Sequence, residues 1–171
     1  SSTAAGQIVY MDAAGPFINS AVHGYKFGLV CSCDFSGYTR IFWLHSAPTC
    51  EACIDALTIF LNDLRSKTRS PTRICPLVVN VDNAQYFVGV YFRDFVQKEC
   101  GAVLRPANTY TPQQNAKAER PWGTCFGIGR TLMMLGNFKP KHYPVAVQTA
   151  AWLVNRFPTR AHSYKSPFEI L

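Results

Sequence analysis

With 171 residues, 48% of them hydrophobic, the chain is long enough for one domain with a buried core, and it needs no disulfide framework. Its 17 Lys and Arg against 10 Asp and Glu give a net charge of +7, which favours a polyanionic partner such as nucleic acid over simple solubility. No apolar stretch is long enough to span a membrane and the first residues lack a signal-peptide pattern, so neither membrane insertion nor secretion is indicated.

The first half of the chain is predicted to be an antiparallel meander followed by a helix. Residues 7–11 (QIVYM) have the β-branched and aromatic composition of a strand, with Asp12 at its end. Two further strand-like runs, 25–35 and 39–45, are separated by Ser36-Gly37, a good hairpin turn. Between Pro48 and Arg65 apolar side chains recur at helical spacing; they are Cys53, Leu57, Phe60, Leu61 and Leu64.

The second half is predicted to alternate strands with helices. The apolar run 75–81 has the length of a strand buried on both faces, and it leads directly to a second carboxylate, Asp82. A helix over 87–99, a short strand over 102–105 and a polar, turn-rich segment over 107–114 follow. Two helices over 115–135 and 142–156 come last. These elements predict one α/β domain with a mixed five-stranded sheet flanked by helices.

Cysteine and histidine residues give no strong metal signal. Seven cysteines cannot all pair, and reduced thiols in an intracellular setting suit this composition better than disulfides. Cys50 and Cys53 form a single CxxC without a second pair at matching spacing, so we interpret them as structural thiols. Metal-ligand spacing is missing among the four histidines, which are His23, His45, His142 and His162.

Three carboxylates are candidates for one site. Asp12 and Asp82 both follow apolar strands, and the ends of neighbouring strands in an α/β sheet converge on a shared crevice. Glu119 lies just inside a predicted helix, from which its side chain can lean back towards those strand ends. Such acids repel one another unless hard cations such as Mg²⁺ or Mn²⁺ neutralise them, and two such ions support phosphodiester displacement. Because a single Asp at a strand end is usually a turn or cap residue, spacing and context have to decide.

The motifs around these acids resemble the catalytic core of copia-type retrotransposon integrases, in the retroviral integrase superfamily. Residues 11–16 (MDAAGP) are similar to the first catalytic motif of that family, and 34–43 (DFSGYTRIFW) to its second-strand hairpin, whose Asp is not a ligand. Val81-Asp82-Asn83 with Phe87 resembles the second motif and 111–120 (TPQQNAKAER) the third. Between Asp82 and Glu119 lie 36 residues, close to the usual interval. Residues 154–159 (VNRFPT) and 166–171 (SPFEIL) resemble motifs that mark copia-type cores in particular.

The resemblance implies a ribonuclease-H-like fold and a polynucleotidyl transferase. Hydrolysis near a DNA end would free a 3′ hydroxyl, which would then attack phosphodiesters of target DNA. Asp12, Asp82 and Glu119 would be the catalytic residues and the ligands of two Mg²⁺ or Mn²⁺ ions. The implied partners are the DNA ends of the element, target DNA and further copies of the chain, as a dimer or larger assembly, with the nucleus as the site of action after a cytoplasmic stage. Since the chain begins at Ser1 and not at a methionine, we expect residues 1–171 to be the core domain of a larger integrase or polyprotein.

Side chains around Glu119 are candidates for DNA contacts. Amide and cationic donors are suited to gripping phosphates beside a reacting bond, and an aromatic ring can stack on a splayed base. By themselves the two cations in this stretch would be ordinary solvated helix residues, but the flanking motif favours the DNA-binding interpretation. The predicted DNA-binding residues are Tyr110, Gln113, Gln114, Asn115, Lys117 and Arg120.

Two segments depart from the family pattern. Residues 84–86 (AQY) stand where the family has Gly, Gly and Glu, which predicts a stiffer loop with one acid fewer. Residues 121–123 (PWG) replace Lys-Asn-Arg, which predicts a kinked helix or one that begins nearer Pro121. The same replacement removes a cationic DNA contact, for which Arg130 or Lys117 is the candidate substitute.

Two other functions stay open at this point. A ribonuclease H or a transposase nuclease would share the fold, the metal and the acids, although the trailing segment 166–171 argues against it. A host-adopted integrase-like module that binds DNA or supports assembly without catalysis would explain the altered segments 84–86 and 121–123.

Overall fold

The fold has three layers, a five-stranded sheet between two sets of helices, in a computed structural model that describes residues 2–17, 22–69, 74–107, 112–160 and 163–171. For residues 22 and 112–118 the backbone alone is described. The strands are β1 (Ile8–Ala14), β2 (Phe27–Cys33), β3 (Thr39–Leu44), β4 (Val78–Val81) and β5 (Val103–Pro106).

The sheet is mixed, as the sequence predicts. Its strand order is β3-β2-β1-β4-β5, with antiparallel pairing of β1 to β2 and β2 to β3 and parallel pairing of β1 to β4 and β4 to β5. The predicted hairpin turn is confirmed between β2 and β3. Gly37 has φ 72° there, and its amide donates to the Cys33 carbonyl at 2.8 Å, a backbone conformation that glycine adopts without steric cost.

Six α-helices occur in the described part of the chain. They are α1 (Cys50–Thr68), α2 (Gln85–Val88), α3 (Val90–Asp94), α4 (Pro112–Leu135), α5 (Tyr143–Val154) and α6 (Pro167–Ile170). A π-helical turn, Phe95–Glu99, continues α3, and 3-10 turns occur at Val22–Gly24 and Pro140–His142. The helix predicted over 87–99 is therefore broken near Gly89. None of the described helices combines the length and hydropathy that a membrane-spanning segment requires.

Helix α1 forms where the sequence predicts it. The Thr49 side chain caps its first turn by accepting from the Ala52 amide at 3.2 Å. All five apolar residues predicted for its inner face are buried, together with Ala56. They pack against one face of the sheet with Val9 and Met11 of β1, forming the larger of two hydrophobic clusters.

The second hydrophobic cluster lies on the opposite face of the sheet, beneath α4 and α5. Val30 and Ile41 of the antiparallel strands pack there against Trp122 of α4 and Val147 of α5. Alternation along β1 therefore divides its side chains between two dissimilar layers, since Val9 and Met11 face α1 and the even-numbered residues face α4. That division fixes the side of the sheet on which Asp12 lies.

The C-terminal segment is attached to the outer strand of the hairpin. The buried Asn155 side chain accepts from the Thr39 amide at 2.8 Å and donates to the Thr39 carbonyl at 2.7 Å. Ser166 and Glu169 form a reciprocal capping box at the start of α6, and the Phe168 amide donates to the Asn155 carbonyl at 2.9 Å. The two trailing motifs of the sequence thus make structural contacts.

Several predicted boundaries differ from those observed. Asp12 lies inside β1, two residues before its end, because antiparallel pairing with β2 continues to Ala14. The predicted strand 75–81 shortens to Val78–Val81 because its parallel neighbour β1 begins only at Ile8, which pairs with Val78. Helix α4 begins at Pro112 and not at Asn115 or near Pro121, consistent with the preference of proline for a first turn.

Candidate active site at the edge of the sheet

The register between β1 and β4 brings the two aspartates opposite each other. Tyr10 pairs in parallel with Asn80, and each aspartate lies two residues further along its own chain. Side chains two residues apart point to the same face of a sheet, so Asp12 and Asp82 are directed to the face that α4 covers. The strand that carries Asp12 and the strand that leads to Asp82 are therefore parallel neighbours, as predicted.

Both carboxylates are partly buried, and this raises their pKa values. Burial is the main cause for Asp12, and the negative charges of Asp82 and Glu119 add to it, so that its pKa rises to about 6 although the Ala13 amide opposes the shift. Burial likewise raises the pKa of Asp82, against a hydrogen bond from the Ala84 amide. The site therefore holds negative charge that the surrounding protein does not neutralise.

Backbone hydrogen bonds orient the two acids. Asp12 accepts from the Ala13 amide at 2.9 Å, and Asp82 accepts from the Ala84 amide at 3.0 Å, closing a tight turn after β4. Next to it, the Asn83 amide group donates to the Ala107 carbonyl at 2.6 Å and so joins the end of β4 to the segment leading towards α4. The carboxylates are thus held on a constrained part of the backbone.

Glu119 lies on α4, one turn before the residue that seats this helix on the sheet. The ring of Trp122 packs directly over Gly28 of β2, where an added Cβ would come within 2.7 Å of it. Glu119 is three residues earlier, hence on the same side of the helix, and its charge acts on Asp12. Its side chain is exposed and does not enter a core, which keeps it available to the site.

The three acids do not form a closed ligand set. Among the described residues, no group of three or more His, Cys, Asp or Glu side chains is arranged to hold a metal ion. The meeting of all three carboxylates around a metal ion stays a prediction.

The other predicted site residues have different outcomes. Arg120 is exposed and lines a cleft of about 390 Å³ between α4 and the strands, together with Pro121 and Tyr10. Asp34 accepts hydrogen bonds from Ser2 and Tyr10, a structural role in line with its predicted lack of catalytic function. Tyr110 and the side chains of Gln113, Gln114, Asn115 and Lys117 lie outside the described part of the chain.

Two neighbours of Asp82 were not predicted as site residues. Tyr86 lies on α2 with its ring centroid 4.8 Å from that of Phe87, and burial together with the charge of Asp82 raises its pKa to about 12. Cys53 is buried under the same edge, where burial, Cys50 and Asp82 raise its pKa to about 12. For Tyr86 the position four residues after Asp82 at a helix start was the available signal. The electrostatic influence of Asp82 on Cys53 depends on the packing of α1 and has no local signal.

Helix α1 also resolves the interpretation of the CxxC pair. Cys53 is buried and Cys50 is half-buried, and neither forms a disulfide. The thiols are therefore packed within the protein as the sequence predicts, although Cys75 is exposed.

Two transposon polyproteins of Arabidopsis thaliana are similar in sequence. The chain is 26% identical over 166 residues to the retrovirus-related Pol polyprotein from transposon RE2, a match that covers 96% of this chain and 11% of the polyprotein. It is 28% identical over 134 residues to the corresponding polyprotein from transposon RE1, covering 78% of this chain and 9% of the relative. The chain thus spans about a tenth of the length of these curated relatives. No family model matches it.

Solved structures of retroviral integrases share the fold. One is a chain of the simian T-cell lymphotropic virus intasome in complex with the PP2A regulatory subunit B56 gamma, with a TM-score of 0.69 and 17% identity over 96% of this chain and 54% of that chain. Another is the HTLV-2 integrase catalytic core domain in complex with magnesium, in trimeric form, with a TM-score of 0.63 and 18% identity over 96% of this chain and 95% of that one. The chain is accordingly a homologue of the retrovirus-related Pol polyproteins of transposons RE1 and RE2, and it has the ribonuclease-H-like fold of retroviral integrase catalytic cores.

Proposed function

We propose that the chain is the catalytic core of a copia-type retrotransposon integrase, an enzyme that trims DNA 3′ ends and joins them to target DNA. One observation carries this proposal. Asp12 on β1 and Asp82 directly after β4 each lie two residues beyond the paired residues Tyr10 and Asn80, and Glu119 is one helical turn from Trp122, which packs α4 against the sheet. An arrangement of acids from two strands and a covering helix suits chemistry at a phosphodiester more than it suits stability, because the acids repel one another.

The donor set fits a hard divalent cation. Carboxylate oxygens are the ligands that Mg²⁺ and Mn²⁺ prefer, and burial and repulsion leave the charge of Asp12 and Asp82 uncompensated within the protein. Asp12, Asp82 and Glu119 would hold two such ions. A bound cation would supply activation of the attacking oxygen and stabilisation of the leaving one.

The chain's own residues would bind and orient the DNA. The exposed Arg120 follows Glu119 directly and offers a guanidinium suited to a phosphate. The predicted contacts from Tyr110, Gln113, Gln114, Asn115 and Lys117 belong to this proposal, and so does a substitute cation at Arg130. A net charge of +7 would favour DNA approach at low salt.

The names of the structural relatives support an assembly that acts on DNA. One relative belongs to an intasome and the other is a trimeric integrase core with magnesium. Joining two DNA ends in concert requires more than one active site, so we propose a dimer or larger assembly here. Its site of action would be the nucleus, where target DNA lies, after a cytoplasmic stage.

A strand-transfer assay with short donor duplexes and Mg²⁺ or Mn²⁺ tests the proposal. Asp82→Asn keeps the size of the side chain and removes the charge that would hold the ion, so joining should be abolished while DNA binding persists or tightens. Asp55→Asn is the matched control, since it makes the same chemical change on an exposed position of α1 and should join DNA as the unaltered protein does.

Three outcomes would overturn the proposal. Joining by Asp82→Asn at the original rate would refute the carboxylate mechanism. Cleavage of RNA in an RNA–DNA hybrid, without joining, would favour a ribonuclease H. DNA binding without cleavage or joining, when the chain is supplied with its flanking domains and its own DNA ends, would favour a non-catalytic module.

A further inference from the structure

A row of aromatic rings connects α4 to the outer end of the β2–β3 hairpin. The centroid of the Trp122 ring is 6.3 Å from that of Trp43 on β3, and the centroid of the Trp43 ring is 6.2 Å from that of Tyr25. Tyr25 stacks on His45 with ring centroids 4.9 Å apart and ring planes at 27°. The ring centroid of His23 is 6.0 Å from that of Tyr25. The core packing of α4 thus continues to a stacked pair at the surface.

The backbone around this pair is held in place. The Lys26 amide donates to the Leu44 carbonyl at 2.9 Å, and the Lys26 carbonyl accepts from the Phe17 amide at 2.7 Å. Trp43, which supports Tyr25 from behind, donates its ring N–H to the Gln148 side chain at 3.1 Å. A stacked pair fixed in this way loses little conformational entropy when another ring is added to it.

The exposed side of the pair is basic. His45, Lys26 and His23 are exposed, whereas Tyr25 is half-buried. Neither 22–28 nor 42–48, the described segments that form this end of the hairpin, contains an Asp or Glu. A planar surface beside the Lys26 cation complements nucleic acid, which combines flat bases with anionic phosphates.

The pair lies at the same end of the sheet as the candidate active site. Asp12 pairs with Val30 and Val30 with Ile41, so His45 is four residues beyond the level of Asp12 and two strands away. Strand rise and spacing give a separation of roughly 15 to 20 Å from Asp12. A DNA strand whose phosphodiester reacts at Asp12 can place a base a few nucleotides away on this surface.

We propose that Tyr25, His45 and Lys26, here called the aromatic platform, bind unpaired bases of DNA beside the reacting end. A base stacks on the exposed side of His45, which Tyr25 supports from below, and Lys26 contacts a neighbouring phosphate. The identity of the ligand as DNA rests on the proposed function. The ring stacking and the local charge are independent of it.

Fluorescence anisotropy with labelled oligothymidine and with a blunt duplex tests the platform. A double variant, Tyr25→Ala with His45→Ala, should weaken oligothymidine binding about tenfold, because base stacking is lost. Binding of the blunt duplex should stay within about twofold, because its bases are paired and do not stack on the platform. The double variant's slope of log affinity against log salt should stay unchanged. Lys26→Ala should reduce that slope by about 0.7, the value for one phosphate contact on a single strand.

Matched variants separate stacking from folding. Tyr25→Phe keeps the ring and should bind oligothymidine as the unaltered protein does, whereas Tyr91→Ala removes an exposed tyrosine from α3 and should have no effect. Cross-linking to 5-iodouracil in the unaltered protein should label Tyr25 or His45, as read by mass spectrometry. Thermal unfolding of each variant reports any loss of fold.

The results distinguish this inference from the proposed function. Equal oligothymidine binding by the folded double variant, or cross-links confined to other residues, would overturn the platform even if the unaltered protein joins DNA. Binding through the platform in a protein that never joins DNA would uphold the inference and refute the enzyme. Failure to bind any DNA would refute both.

Discussion

Replacing Asp12 by Asn should make the metal-free protein more stable at neutral pH. Burial, and then the charges of Asp82 and Glu119, raise the pKa of Asp12 from 3.8 to about 6 in the folded protein. The ionised form is therefore disfavoured by folding, at a cost of about 3 kcal/mol once the pH is well above 6. Asparagine avoids this cost because it stays neutral, so we expect a gain of about 2 to 3 kcal/mol.

The sign and the pH range of this effect are both defined. Below pH 3.8 the carboxyl is protonated in the folded and unfolded states, and its full stability is present. That stability is lost as the pH rises through the folded value of about 6, since the folded protein must then release a proton it binds more tightly than the unfolded chain. The advantage of Asp12→Asn should consequently grow from under about 1 kcal/mol near pH 4 to its full value above pH 7.

Urea denaturation of both proteins in EDTA, between about pH 4 and 8, measures this difference. Asp55→Asn serves as the control for removal of an exposed acid from α1. Added Mg²⁺ should stabilise the unaltered protein and not the Asp12→Asn variant, since a cation that binds only the folded state shifts the equilibrium towards it. A difference that is absent at pH 7.5, or that is equal at both ends of the range, would refute the electrostatic argument.

Two further substitutions test the packing that positions the site. Gly28→Ala places a Cβ 2.7 Å from the Trp122 ring and should lower the free energy of unfolding by about 1 to 3 kcal/mol, as measured by urea denaturation. It should also slow DNA joining, because α4 is displaced. Unchanged stability and an unchanged joining rate would contradict the close contact. Asn155→Ala leaves the Thr39 amide and carbonyl without their buried partner and should lower the free energy of unfolding by about 2 to 4 kcal/mol. A decrease under about 0.5 kcal/mol would mean that water replaces the Asn155 side chain.

The sequence predicted correctly those elements that are determined by nearby residues, such as α1. The spacing of Cys53, Leu57 and Phe60 identified the inner face of α1, because a helical face is set within a few residues. The start of β4 was wrong by three residues. Apolar composition continues through Leu77, which is 60% exposed, and only the beginning of β1 decides where pairing can start.

At the candidate site, too, some features follow from local sequence and others depend on tertiary contacts. Sequence context identified Asp12 and Asp82, and parallel strands with helical connections predicted their convergence. The seating of α4 was not predictable, because it depends on a tryptophan meeting a glycine 94 positions earlier in the chain. Pro121 was expected to kink the helix or to lie near its start, and α4 begins nine residues earlier, at Pro112, and continues through Pro121. Tertiary packing of Trp122 and Cys125 against the sheet offsets the hydrogen bond that Pro121 cannot donate.

The chemistry of the site and the trailing motifs carry different information. Asn155, Ser166 and Glu169 hold the C-terminal segment to the fold, so their presence identifies an architecture and would persist in a chain that had lost activity. Asp12 and Asp82 have the opposite effect on stability. Their raised pKa values mean that their ionised forms destabilise the metal-free fold. A module kept only to bind DNA would be more stable with neutral residues there and would repel phosphates less. Two acids that cost stability are therefore consistent with the reaction that we propose, and the strand-transfer assay of Asp82→Asn decides between it and a non-catalytic module.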